Sequence, residues 1–424
     1  MRIVVAPDSY KGSVSALGVA RAMERGIRRV FPDAEVRKIP IADGGEGTVE
    51  ALVAATNGTL RRMEATGPLG ERVVAHWGIL GDGETAVVEM AAVSGLPLVP
   101  EARRDPRFTT TRGTGELLRA VLDAGLRKII IGIGGSATND GGVGMARALG
   151  AKFLDGEGRE LPDGGAALVR LARIDLAGLD SRLRDCRITV ACDVDNPLCG
   201  PRGASVVFGP QKGATPEIVA ELDAALFRFS RIAREATGRV VDELPGAGAA
   251  GGLGAGLMYF SPAVLKPGVE IVLDVVDFSG VVEGADFVLT GEGRTDFQTA
   301  FGKAPVGVAG VAKRFGVPVF CLSGGLGDGV DDVLVRGIDA VMSICDRPLT
   351  LEACMEAGDV LIASGAERLC RIIRADVRSR MSGDRCQETD VRRQRKPAGR
   401  SLCLLNRHCE RNEECRRLAR FVPN

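Results

Sequence analysis

The sequence predicts an α/β protein built on parallel sheets with helices on both faces, and long enough for two or more cored domains. Three observations carry this. The chain has 424 residues at 45% hydrophobic composition; short apolar runs end in glycine-rich polar loops; and stretches of helical periodicity separate those runs.

Taken in order, "MRIVVAP" is an apolar run ending in turn chemistry. "SALGVARAMERGIRRVFP" then places Leu17, Ala20, Met23, Ile27 and Val30 on one helical stripe that stops near Pro32, and "AEVRKIPIA" returns as a strand. That is a βαβ unit. The pattern recurs in "TGELLRAVLDAGLRKIIIGIGG", "GMARALGAKFL", "ADFVLTGEG" and "APVGVAGVAKRFGVPVFCLSGG". In "VVAHWGIL" the alternation makes His76 a packing residue beside the single tryptophan, and "EAGDVLIASGAERLCRIIRAD" reads as a final amphipathic helix.

Composition narrows the classes of function. The longest apolar runs fall far short of the ~20 residues of a spanning helix, and "MRIVVAPDSYKG" reaches Asp8 too soon for a secretory signal. A cytoplasmic protein without a membrane partner is expected. Eleven cysteines form no CxxC pair, which fits buried thiols in a reducing compartment. The formal charge of zero hides a division: from Arg378 onward 13 Lys/Arg face 6 Asp/Glu, leaving 42 against 49 in the body. An acidic body with 4% aromatics offers no nucleic-acid surface. In the basic tail, Cys403, His408, Cys409 and Cys415 match no paired zinc spacing, and the composition reads as a disordered or accidental extension.

Ligands of open parallel sheets sit beyond the carboxyl ends of the strands. Five post-strand loops stand out: "PDSYKGS" (7–13), "IADGGEGT" (41–48), "GIGGSATNDGG" (132–142), "CDVDNPLCGPRGA" with "FGPQKGA" (192–214) and "TGEGRTDFQTAFGKAP" (290–305). Ser9 and Lys11 stand just before the first helix, where N–H groups and a cation favour an anion. Gly132, Gly134 and Ala137 spell G-x-G-x-x-A after a strand, with Asp155 ending the next one, so a dinucleotide-binding dehydrogenase is a second reading. Asn139 and Asp140 crowd that helix start. The loop better suits a site where backbone N–H groups and hydroxyls meet phosphate while Asp140 faces Mg²⁺ or caps the helix.

In order along the chain, "APDSYKGSVSA", "IADGGEGT", "GIGGSATNDGG", "CDVDNPLCG", "VFGPQKGA", "GAGAAGGLG" and "GEGRTDFQTAFGKAPVGVA" resemble the bacterial glycerate kinase family, with its A-P-D-S-[FY]-K-G-S signature. The resemblance spans roughly residues 1 to 373 and has Tyr10 where Phe is common. It implies ATP- and Mg²⁺-dependent phosphorylation of D-glycerate to 2-phosphoglycerate. It also implies a Rossmann/flavodoxin-like parallel-sheet domain from both chain ends (1–65 and 285–376), an inserted mixed α/β domain (66–284), and a site in the cleft between them. Residues 377–424 lie outside it.

Phosphoryl transfer needs positioned reactants, cations for the phosphates and a carboxylate near the attacking hydroxyl. Asp193 is the favoured base and Asp296 its rival, with Asp140 and Asp193 as metal ligands. Lys11 and Arg294 suit the substrate carboxylate, Lys11 also serving catalysis. Asp8, Ser9, Asp43 and Glu46 suit the rest of the substrate. Gly134, Gly135, Ser136, Thr138, Asn139, Lys212, Gly251, Gly252 and Lys303 are the nucleotide candidates. A monomer or homodimer is expected. Another small hydroxy acid as acceptor, and a silent binding protein, are the remaining alternatives.

Overall fold

The first apolar run forms the strand Arg2–Val5, with Ile3, Val4 and Val5 fully buried. Its neighbours come from both ends of the chain. Glu35–Lys38 pairs parallel on one side and Phe287–Thr290 on the other, then Val319–Ser323 and Ala340–Ser343 complete a five-stranded parallel sheet. The computed structural model describes residues 1–41, 45 and 47–393, with side chains as far as residue 375. Asp43, Glu46, Cys403, His408, Cys409 and Cys415 lie outside the described residues.

The first helix runs Ala16–Arg28 and buries Val19, Ala20, Met23 and Ile27. Ser15 caps it by accepting from the Gly18 N–H, and Arg25 and Arg28 complement the carboxyl end. The chain then builds a six-stranded sheet in the order Ala263–Lys266, Arg187–Ala191, Lys128–Gly132, Thr85–Glu89, Arg72–Ile79, Thr59–Thr66. Its first four strands are parallel, but Arg72–Ile79 runs antiparallel to both its neighbours. The alternation in "VVAHWGIL" does mark a strand, which forms a hairpin with the one before it, but His76 is exposed rather than packed.

Successive residues of the central strands feed different cores. Ile129 and Ile131 join the core inside the six-stranded lobe, with Val88, Val190, Phe229 and Leu253. Ile130, Val87 and Ala191 face a second core with Val269 and Val272, Val4 and Val288. That second core joins the two sheets. Strands buried on both faces explain the unbroken run "KIIIG", and each such side chain contributes roughly 1.5–3 kcal/mol.

One expected βαβ unit is absent. After the short helix Val143–Ala148 the strand Lys152–Leu154 leaves the main sheet and pairs antiparallel with Arg173–Asp175. Residues 1–371 make up one unit; in the second, the described residues continue the helix Gly358–Arg393.

Candidate active site

Three neighbouring strands of the five-stranded sheet end in loops that lock together. The Asp8 N–H donates to the Gly291 carbonyl at 2.8 Å. Tyr10 starts a tight turn to Val14 and sends its hydroxyl to the Leu322 carbonyl at 2.5 Å; burial holds that phenol well above its ordinary range. Gly293 packs against the same turn, where a Cβ would stand 3.4 Å from the Lys11 backbone nitrogen, an ordinary contact. Beneath it, Glu292 is buried and accepts from Thr299 Oγ1 at 2.6 Å and Thr295 Oγ1 at 3.2 Å. Burial pushes its carboxyl up, partly offset by the two hydroxyls and Lys303.

Asp296 caps the 3-10 turn Phe297–Phe301, its carboxylate accepting from the Gln298 N–H at 3.0 Å while its own N–H donates to Thr299 Oγ1 at 3.2 Å. Arg294 is largely exposed, its Nε 3.5 Å from Asp296 Oδ2. Lys303 lies 3.5 Å from the Gln298 side-chain oxygen.

The glycine-rich loop of the six-stranded sheet turns most of its chemistry inward. Gly134 and Gly135 are exposed, whereas Ser136, Thr138, Asn139 and Asp140 are buried. Asp140 accepts from the Thr111 N–H and hydroxyl, both at 2.9 Å, and from the N–H groups of Gly142 and Gly144 at 3.0 and 3.2 Å. Its oxygens hold the loop and the helix start, the arrangement the capping alternative expects. Lys212 is buried under the same loop, donating to Ser136 Oγ and to the Thr138 carbonyl, each at 2.7 Å. Burial pushes its amine down to about 7, with Asp140 pulling the other way.

Asn139 Nδ2 donates to Ser205 at 2.9 Å. Thr138 Oγ1 and Asn139 Oδ1 have no hydrogen-bond partner among the described residues. Gly251 and Gly252 have φ of +66° and +88°, and a Cβ on Gly251 would meet the Thr138 carbonyl at 1.9 Å. They are there to let one loop lie on another. Asp193 is exposed and accepts from the Gly268 N–H at 2.8 Å, at the start of the helix Gly268–Val275.

A cavity of about 660 Å³ opens beside the first loop, lined by residues 8–17 and, across it, by Ala75, His76, Glu89, Ala91, Pro97, Leu98 and Gly135. It gathers Asp8, Ser9, Lys11 and Gly135 of the candidates. Asp193, Arg294, Asp296, Lys212, Lys303, Ser136, Thr138, Asn139, Asp140, Gly251 and Gly252 do not line it. The reading of the sequence missed Glu89, which is buried at a strand end and accepts from the Val49 N–H at 2.6 Å. A carboxylate closing the apolar run "TAVVE" was the available signal.

The dinucleotide reading fails on geometry. Asp155 follows the strand that left the main sheet, and its carboxylate is bound by the N–H groups of Glu157 and Arg159. It is not presented beside the glycine loop as a ribose partner would be.

Polar loops at parallel-strand ends, closing on one cavity with a cation and buried carboxylates, define an α/β enzyme of small polar ligands. The family model described as "Glycerate kinase family" matches residues 3–374. Among curated relatives, glycerate kinase of Bacillus subtilis (strain 168) is 54% identical over 378 residues, covering 89% of this chain and 98% of its own. Glycerate 2-kinase of Escherichia coli (strain K12) is 54% identical over 352 residues, 83% of this chain and 92% of that one. A crystal structure of a Salmonella typhimurium LT2 protein, provisionally named glycerate kinase 2, superposes with a TM-score of 0.81 at 51% identity, over 89% of this chain and 99% of that chain. The chain belongs to the glycerate kinase family.

Proposed function

We propose that this kinase transfers the γ-phosphoryl group of ATP, with Mg²⁺, to the 2-hydroxyl of D-glycerate, giving 2-phosphoglycerate and ADP in the cavity beside the first loop. The observation that carries the reading is the pairing on that cavity of Lys11 and the first helix's amino end with the buried carboxylates Asp8 and Glu89. An anionic acid and a hydroxyl need opposite partners. The name of the Escherichia coli relative, glycerate 2-kinase, supports the position of transfer.

The residues present fit the nucleotide and its ion. Gly135 brings exposed backbone to the cavity lining, and Thr138 and Asn139 in the same loop hold unused hydrogen-bonding capacity. Mg²⁺ is commonly held by one or two carboxylates together with phosphate oxygens and water; Asp8 and Glu89 would supply the protein's share. When bound, the ion neutralises phosphate charge.

Lys11, on the cavity lining, orients the substrate carboxylate. Asp8 accepts the hydroxyl proton as the oxygen bonds to phosphorus and the bond to ADP breaks. Asp193 and Asp296, off the cavity lining, shape their loops by capping. Among the described residues no helix is long and apolar enough to cross a membrane, and we place the enzyme in the cytoplasm as a monomer or homodimer.

A coupled ADP-release assay with D-glycerate, ATP and Mg²⁺, with phosphorus NMR of the product, tests the reading. Asp8→Asn should lower kcat by roughly 10²-fold or more, the scale of general-base catalysis, and Asp193→Asn by far less. A product phosphorylated at the 3-position, or preferred turnover of another hydroxy acid, would overturn it.

A further inference from the structure

Two thiols outside the proposed chemistry stand against each other beside the site. Cys345 follows the edge strand Ala340–Ser343, and Cys354 lies on the short helix Leu351–Glu356; their sulfurs are 3.5 Å apart, and both residues are partly exposed. Each is tied to a site loop. Cys345 Sγ contacts the Gly324 carbonyl at 3.6 Å, and the Gly324 N–H donates to the Glu292 carbonyl at 3.0 Å. Next to Cys354, the Met355 carbonyl accepts from Ser13 Oγ at 2.6 Å, and its methyl packs where a Cβ on Gly12 would stand at 2.9 Å. Gly12 and Ser13 line the cavity.

We propose that Cys345 and Cys354 form a reversible disulfide that fastens the helix Leu351–Glu356 over the Gly12–Ser13 turn and thereby restrains the cavity's first loop. The closure needed is about 1.5 Å, from the present separation to a bonded one. With a peroxide as oxidant, one thiolate attacks a peroxide oxygen, the O–O bond breaks, and a sulfenic acid and hydroxide form. The second sulfur then attacks the first: the S–S bond forms, the S–O bond breaks, and the oxygen leaves as water. Two thiols and one hydrogen peroxide become one disulfide and two waters. The other cysteines resolved in their side chains have no thiol partner this close.

The effect on turnover rests on the kinase reading, whereas the bond and its grip on the loop do not. The test treats the reduced full-length protein with hydrogen peroxide, maps peptides without reduction, and follows amide hydrogen exchange across residues 10–15. The expected result is a linked peptide carrying Cys345 and Cys354, exchange slowed several-fold, and a matching fall in ADP release that dithiothreitol restores. Cys354→Ser should keep the reduced rate and lose the response to peroxide. The proposal is overturned if both thiols stay free while other cysteines oxidise, if the bond forms with exchange unchanged, or if Cys354→Ser responds like the parent. Reduced protein that never turns over glycerate would sink the kinase reading alone, since the linked peptide and exchange still decide the switch.

Discussion

Lys212 Nζ donates to Ser136 Oγ at 2.7 Å, tying a buried amine to the loop that follows a central strand. Burial pushes that amine down to about 7 from an ordinary 10.5. Between those values the unfolded chain binds more protons than the native one, so this group makes stability rise with pH, by up to ~1.4 kcal/mol per pH unit. Lys212→Met removes the slope and both hydrogen bonds. Urea midpoints at pH 7, 8 and 9 should show the gap between parent and variant widening as pH rises; parallel curves would show that Lys212 does not titrate there.

Asp140 is expected to matter for folding more than for metal binding. Asp140→Ala leaves buried N–H groups of Thr111, Gly142 and Gly144 without their acceptor, at a cost of about 1–3 kcal/mol for each group left unpaired. Denaturant unfolding should reveal a loss of at least ~3 kcal/mol. In whatever fraction stays folded, the Mg²⁺ dependence of turnover should match the parent; a large shift would restore Asp140 as a metal ligand.

Much of this was legible in the sequence, and the limits are physical. The first helix could be read because its burial follows a local 3.6-residue period, and the loops because glycine and carboxylate cluster after apolar runs. Which way those loops face could not. Ser136 and Thr138 turn inward because Lys212, 76 and 74 residues away, and the glycines at 251 and 252 meet them from below. Periodicity carries no information at that range. For the same reason Asp8 and Glu89 come to one cavity from different sheets, while Asp193 and Asp296, more conspicuous in the sequence, end as caps.

Tyr10→Phe should be mild. The variant keeps the ring and loses one buried hydrogen bond to Leu322, so a loss of about 1 kcal/mol is expected in thermal or urea unfolding. Turnover should stay near the parent's. A drop in kcat without a change in stability would give the phenol a part in the chemistry.

Glu292 has the opposite sign from Lys212. Burial raises its carboxyl above 4.5, so the native state holds a proton that the unfolded chain releases. Its contribution to stability is complete below the ordinary glutamate value and is lost as pH rises through the raised one. Glu292→Gln stays neutral throughout. Relative to the parent, the variant should therefore gain stability from pH 4.5 upward, read from unfolding curves through pH 7.5; a constant difference would mean that the carboxyl titrates alike in both states.

The pairing of Arg2–Val5 with Phe287–Thr290 sets a timetable for synthesis. At roughly 5–20 residues per second, the first strand leaves the ribosome on the order of 14–60 seconds before its partner does. During that interval the strands of the six-stranded sheet, all within residues 59–266, have what they need to pair. The opening strand waits with Glu35–Lys38 as the neighbour it can already pair with, its other edge open. Nascent chains stalled before residue 287 should therefore carry a protease-resistant middle and a labile, chaperone-binding amino end.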